Sequence, residues 1–293
     1  MNEASHSPLA ALSGAIATIV RNAHPSIVAV RSRGARASGF IWRPGLVVTA
    51  DEPLADEGPI EVTLATAERV AATVKGRDAS TDIALLHIDA PPAAPVHLVS
   101  SPVETGSLAI VVVGAGGNAI PALALVTHAG PAWKSMRGGA IDARIEIEAA
   151  LRNSAQGALV VDPEGRAIGM AVFGPRRRVL VIPAATIDRV AATLDAHGKI
   201  ARGYLGLALQ SVRIGSDAVG AIVMSVDDDG PGAKAGIRQG DVIERFDERA
   251  LEGVASLVRE LGSESVGKRV RVAARRAGEP IAFDVTIGTR PDA

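Results

Sequence analysis

The chain has 293 residues, with 31 basic against 32 acidic side chains and a formal charge of −1, so overall charge makes no case for nucleic acid or an anionic membrane as partner. Cysteine is absent, which excludes disulfides, thiolate catalysis and thiolate metal sites. Hydrophobic residues reach 47% but aromatics only 2%, so a core must be built from Val, Ile, Leu and Ala, a composition that suits many short strands within two domains of ordinary size.

Near the N-terminus, Leu12, Ile16, Ile19 and Val20 fall at the spacing of one helical face. The apolar run 8–20 is too short for a bilayer, which takes roughly 20 apolar residues. Glu3 and His6 stand where a secretory leader has its positive start. These features predict a short helix packed on the first domain, a cytoplasmic location and no membrane contact.

From Ser26 to Ile182 the chain is a succession of β-rich runs: SIVAV, GFIW, LVVTA, IEVTLA, VAATV and IALLHI, then LAIVVVG, ALALVTH, ARIEIEA, GALVVD, AIGMAVF and VLVIP. Strands this closely spaced, with Gly, Pro or Asp between them, predict antiparallel barrels or a sandwich. One clear helix follows, PAATIDRVAATLDAHG, with Ile187, Val190 and Leu194 inward, Asp188 and Arg189 outward, and Gly198 as its stop. From about Lys199 the pattern changes to a smaller unit. GYLGLALQSV, GAIVMSV and DVIERFD read as strands, GPGAKAGI and GVASLVRELG as helices, and KRVRVAARR with PIAFDVTI as a hairpin around Ala277-Gly278-Glu279, so a small sheet capped by two helices is expected.

Three segments, in order, resemble the trypsin-like serine proteases of the HtrA/Deg family. SGFIWRPGLVVTADEPLADE is similar to the strand ending in V-T-x-x-H; GRDASTDIALLHID is similar to T-D-[LI]-A-[VL]-L; and RNSAQGALVVDPEGRAIG is similar to G-N-S-G-G-x-L-V with its following G-x-[VI]-[IV]-G. Further on, RGYLGLALQ resembles the carboxylate-binding loop that opens a family PDZ domain, and PGAKAGIRQGDVIERFDERAL resembles that domain's middle. The resemblance covers residues 26–290 and implies a mainly β chain, a trypsin-like double antiparallel β-barrel followed by a small α+β PDZ domain. It divides the chain into a helical extension at 1–25, the barrel domain at 26–198 and the PDZ domain at 199–293.

In this fold a serine attacks, a histidine takes its proton and an aspartate holds the imidazole. The resemblance puts Asp82 at the aspartate, but Glu52 at the histidine. Counting back from Gly157-Ala158-Leu159-Val160 puts Gln156 at the first glycine after the nucleophile and Ala155 at the nucleophile itself, with Ser154 one place early. A step of one residue re-aims a side chain, and near-attack geometry tolerates only small errors. A carboxylate with a pKa near about 4 is a poor base for a hydroxyl. None of the histidines at 6, 24, 87, 97, 128 and 197 is expected to substitute. Asn153 stands where the family has the glycine of the oxyanion hole. In a serine protease, loss of the serine or histidine costs roughly a millionfold in turnover, so the barrel domain reads as a pseudoprotease.

Asp51, Glu52 and Asp82 supply three carboxylates where a hard cation needs about six or more oxygens, and no metal or other cofactor is expected. The run Arg176-Arg177-Arg178 reads as surface charge. The PDZ-like unit keeps its working parts: Tyr204, Leu205, Gly206 and Leu207 match the loop that holds a C-terminal carboxylate, and Leu257 and Leu261 offer either groove lining or ordinary core packing across from it. The expected function is peptide binding without cleavage, as scaffold, regulator or holding chaperone, with proteins bearing exposed apolar C-termini as partners and, by the resemblance, a trimer as a possible assembly. The alternatives are an active endopeptidase rebuilt around Ser154 and a structural subunit of an oligomer.

Overall fold

A computed structural model of the chain describes residues 7–90, 94–215 and 218–291; Glu3 and His6 lie outside them. Two compact units emerge. One comprises Met1–Trp133 with Ile141–Lys199, the other Lys134–Ala140 with Ile200–Ala293.

All twelve β-rich runs of the first unit are strands. β1 (Ile27–Ser32), β2 (Ala35–Arg43), β3 (Leu46–Thr49), β4 (Ile60–Thr63), β5 (Arg69–Asp78) and β6 (Ile83–Ile88) close into a barrel in the order β1-β2-β3-β6-β5-β4. Val28 and Val30 point inward with Ile41, Val47, Val62 and Leu86, while Arg31 points to water. That is the period of two that strands impose. After β7 (Leu108–Ala115) and β8 (Asn118–Gly130) comes a ribbon that sequence did not predict, β9 (Trp133–Lys134) with β10 (Ala140–Ile141). The second barrel is completed by β11 (Arg144–Glu148), β12 (Ala158–Val161), β13 (Ala167–Phe173) and β14 (Val179–Pro183), closed in the order β11-β14-β13-β12-β7-β8. Val111, Val126, Ile145, Val160 and Val181 fill it.

The helix after β14 spans Ala184–His197 and buries Ile187, Val190 and Leu194, as their spacing predicts. It stops at Gly198, whose φ of +72° is the left-handed cap that glycine adopts without steric cost. The N-terminal helix forms as expected and lies on the first unit, with shallow burial. α1 (Pro8–Ala23) forms, but it buries none of its residues: Ile16, Ile19 and Val20 are half-buried, and Leu12 keeps 42% of its surface exposed. Its stripe lies beside β8, by Asn118, Ala119 and Pro121.

In the second unit, β15 (Gly203–Tyr204) pairs with β22 (Gly288–Thr289). The main sheet runs in the order β16 (Leu207–Ile214), β17 (Ala218–Val226), β18 (Val242–Phe246), β20 (Arg269–Arg276) and β21 (Glu279–Thr286), with β19 (Arg249–Ala250) off β18. Two short helices, Pro231–Lys234 and Val254–Glu260, accompany it. Ala277 and Gly278, at φ +50° and +88°, make the tight turn of the predicted hairpin. Leu205, Ile243, Leu257, Val272 and Val285 share a core distinct from the barrels.

Candidate functional site

The turn that follows β3 begins with a buried carboxylate, Asp51, which needs a counter-charge to be tolerated away from water. Arg77, near the end of β5, supplies it through an Nε ion pair to Asp51 Oδ1. The same guanidinium donates to the carbonyls of Asp51 at 3.2 Å, Leu54 at 3.1 Å and Ala55 at 3.2 Å. One side chain thereby sets the path of 51–55. Glu52 follows from it: its N–H donates to Asp82 Oδ1 at 2.7 Å, while its own carboxylate is exposed. Asp82 sits just before β6 with φ +57°. Burial, reinforced by the charges of Glu52 and Asp51 and only partly offset by the Glu52 N–H, pushes its carboxyl from an ordinary 3.8 to about 6.

The second turn is a single 3₁₀ turn, Asn153–Ala155. Ala155 is 2% exposed, and its N–H donates to the Arg152 carbonyl at 2.9 Å. Ser154, one step earlier and half-buried, leaves a turn of this kind roughly 120° around from Ala155. The Asn153 amide oxygen accepts from Arg177 Nη1 at 3.1 Å. Gln156 accepts the Ser38 N–H on its carbonyl at 2.8 Å, and buries its side-chain oxygen without a hydrogen-bond partner among the described residues.

Gly157 brings the two turns together. At φ +84° it leaves no room for a side chain: a Cβ there would lie 2.2 Å from the Ser38 carbonyl, 2.8 Å from Thr49 Oγ1 and 2.9 Å from the Ala50 nitrogen. The turn carrying Ala155 is thus pressed onto the strand end that leads into Glu52, which in turn is tied to Asp82. Of the three residues that sequence singled out, Glu52 and Asp82 are joined by a hydrogen bond, and Ala155 precedes by two positions the glycine that packs on the end of β3. What they offer is a methyl group, an exposed carboxylate and a carboxyl that titrates near 6. The N–H of Ala155 donates within its own turn. Arg77, which positions the first turn, was missed from sequence, and Arg177, read there as surface charge, donates to the second turn; a buried Asp51 implies a cation, but nothing in the chain order says which.

In the second unit a groove of about 260 Å³ is lined by Tyr204, Leu205, Gly206, Leu207, Leu257 and Leu261, the residues named from sequence, with Arg202, Leu209 and Arg290 added. β16 forms one wall and is the edge of its sheet. Gly206, at φ +70°, approaches Gly230 so closely that a Cβ would meet its Cα at 2.8 Å. The neighbouring carbonyls are used inward, Leu205 accepting from Gly232 at 2.7 Å and Gly206 from Asp227 at 2.9 Å. Among the described residues no protein acceptor takes the N–H of Leu205 or Gly206. The Tyr204 hydroxyl donates to Asp227, bracing the loop from outside. Leu257 is both core and groove wall: it is 1% exposed, while Leu261 packs half-buried beside it. An extended apolar chain end, with strand pairing along β16 and its carboxylate at these N–H groups, fits the chemistry of the groove.

Residues 37–170 match a family model described as a trypsin-like peptidase domain, and residues 203–287 match a PDZ domain. A protein of Brucella suis named "Probable periplasmic serine endoprotease DegP-like" is 30% identical over 278 residues, covering 88% of this chain and 53% of its own length. One of the same name from Rickettsia prowazekii is 26% identical, covering 85% and 52%. The chain spans about half the length of these curated relatives. Among solved structures, the HtrA-type protease AlgW with a decapeptide superposes with a TM-score of 0.70 at 21% identity, covering 94% of this chain and 99% of that one. The serine endoprotease from Yersinia pestis gives 0.70 at 23%, covering 94% and 98%. The expectation of a cytoplasmic location is corrected by these relatives, which are named periplasmic. That expectation rested on residues flanking an apolar run that turns out to belong to a surface helix, and such flanks do not report a compartment.

Proposed function

The chain belongs to the HtrA family of trypsin-like serine proteases with a PDZ domain, and on that premise we propose that its barrel domain does not cleave peptides and that its PDZ domain captures apolar C-termini. The observation that carries the first half is Ala155. A buried methyl stands in the nucleophile's turn, and the backbone N–H that would hold a developing oxyanion is already donated to Arg152 at 2.9 Å. Glu52, tied to Asp82 through its backbone, supports the same reading from the base's position. The second half is supported by the open N–H groups of Leu205 and Gly206 at the end of an apolar groove. A protein that binds chain ends without cutting them acts as scaffold, regulator or holding chaperone.

The purified chain is expected to leave unfolded casein intact. Turnover that disappears in Ser154→Ala would establish instead an endopeptidase rebuilt around that serine. The combined reversion Glu52→His, Ala155→Ser and Gln156→Gly is expected to gain measurable cleavage. For the groove, peptides ending in an apolar residue should bind as free acids and lose affinity when amidated; equal affinity for both forms would remove the carboxylate loop from the account.

A further inference from the structure

The groove of the second unit ends at Ser211. Its lining takes in Leu207 and Leu209 of β16 but stops short of Ser211, and on the facing helix it starts at Val254. Ala208 and Gln210, on the other face of the strand, are exposed. Ser211, itself exposed, closes the slot. Its hydroxyl oxygen accepts the Val254 N–H at 3.0 Å, and at Gly253, with φ +107°, a Cβ would meet that oxygen at 2.9 Å and Val219 Cγ1 at 3.6 Å. Glu252 forms a bridge to Val219 of β17, while the Ser256 hydroxyl accepts the Glu252 N–H at 3.0 Å and donates to the Gly253 carbonyl at 2.7 Å. The segment leading into the helix is thereby seated on both strands. From there the helix runs back to the loop, where the Gly203 N–H donates to the Leu261 carbonyl at 3.1 Å. At about 1.5 Å per residue the wall from Val254 to Leu261 is about 10 Å long, the length of roughly three residues of extended chain.

Given the capture of apolar chain ends, on which this depends, we propose that Ser211 limits what the groove reads: side chains are recognised at the last and third-from-last positions of a bound chain end, and the fifth-from-last is shut out. Alternate residues of an extended ligand face the same way, so the second- and fourth-from-last point away from the slot. The last side chain meets Leu207, Leu257 and Leu261. The third-from-last meets Leu209, Val254 and Val258, of which Val258 keeps 40% of its surface exposed and free to be covered. The fifth-from-last falls on Ser211, whose hydroxyl oxygen is already committed to the helix. Partners are therefore chain ends with an apolar residue at the last and third-from-last positions, whatever precedes them.

The test is fluorescence anisotropy with the full chain and short labelled peptides that end in a free carboxylate and carry Leu at the last, third-from-last and fifth-from-last positions. Asn in place of the third-from-last Leu should weaken binding about tenfold, because its amide would be buried without a partner. The same change at the fifth-from-last should alter binding by less than about twofold, since nothing there is buried. Ser211→Ala opens the slot, and this variant should bind the peptide with Leu at the fifth-from-last several-fold more tightly than the one with Asn there. Ser211→Thr, which keeps the hydroxyl, should show no such preference. A merely structural role for Ser211 would lower the melting temperature and weaken all peptides together, so uniform weakening in Ser211→Ala without the new preference overturns the proposal. Parent protein that reads the fifth-from-last as strongly as the third-from-last overturns it too. Amidated peptides keep the two readings apart. If free acid and amide bind alike, the capture of chain ends fails and this proposal with it; if free acids are preferred and the fifth position is still read, only the closure by Ser211 fails.

Discussion

Asp82 carries a negative charge where the surroundings resist one. Its folded pKa of about 6 exceeds the ordinary 3.8, so its burial costs nothing below about pH 4 and reaches its full penalty above about pH 6. At 1.36 kcal/mol per unit, the penalty at neutral pH is at most about 3 kcal/mol. Asp82→Asn keeps an acceptor for the Glu52 N–H and removes the charge that faces Glu52 and Asp51. The variant should therefore melt higher than the parent at pH 7, and the two should converge toward pH 4; a variant that melts lower at both pH values would contradict this balance. Gln156 poses a different cost. Its side-chain oxygen is buried without a partner among the described residues, a state that costs about 1–3 kcal/mol. Gln156→Met, of similar shape, should raise stability by about 1 kcal/mol in chemical denaturation. Glu52, Ala155 and Gln156 were legible from sequence because each sits at a fixed count from a strand anchor. The roles of Arg77 and Arg177 were not, because their acceptors lie in turns distant along the chain, whose order does not encode which loop a long side chain will reach.

At the scale of elements, β-rich runs bounded by turn signals carried the reading. Val28-Ala29-Val30-Arg31 shows the period of two, but Leu46–Thr49 and Ala158–Val161 are buried throughout and were legible only as short apolar runs between turns. The ribbon of β9 and β10 escaped because two-residue strands have no period to show. α1 escaped in another sense, for its apolar stripe predicted a helix correctly but not how little of it would be buried. The joint between the two site turns makes its own prediction. Gly157→Ala must fit a methyl 2.2 Å from a carbonyl oxygen at a positive φ, so it should destabilise the barrel unit by more than about 3 kcal/mol, read as a shifted urea midpoint. A midpoint unmoved by that substitution would mean that the two turns are not pressed together.

Across the whole molecule, two carboxylates in units with separate cores, Asp82 and Asp241, should respond to acid in opposite directions. Asp241, 1% exposed, feels burial against it, but the Arg276 fork at 2.8 Å and 2.8 Å and the Arg238 N–H at 2.9 Å hold its carboxyl below the ordinary range. Its contribution is present above its ordinary pKa and is lost as pH falls below it, whereas the Asp82 penalty is relieved on the way down from pH 6 to 4. Removing one partner of such a buried pair costs about 3–5 kcal/mol. Asp241→Ala should lower the PDZ unit's transition in calorimetry and leave that of the barrels in place; a single transition shifted as a whole would show that the units unfold together.

Ser38 has a consequence in time rather than in energy. Its hydroxyl oxygen accepts the Gly114 N–H across 76 positions of chain, its own N–H donates to the Gln156 carbonyl still farther on, and its carbonyl receives Thr49 Oγ1. A strand in the first barrel therefore waits for a strand and a turn of the second before its bonds are complete. Contacts so distant in sequence must close their loops before they reward the chain. The first barrel, although made earlier on the ribosome, would hold its final shape only after the segment through Gly157 has emerged.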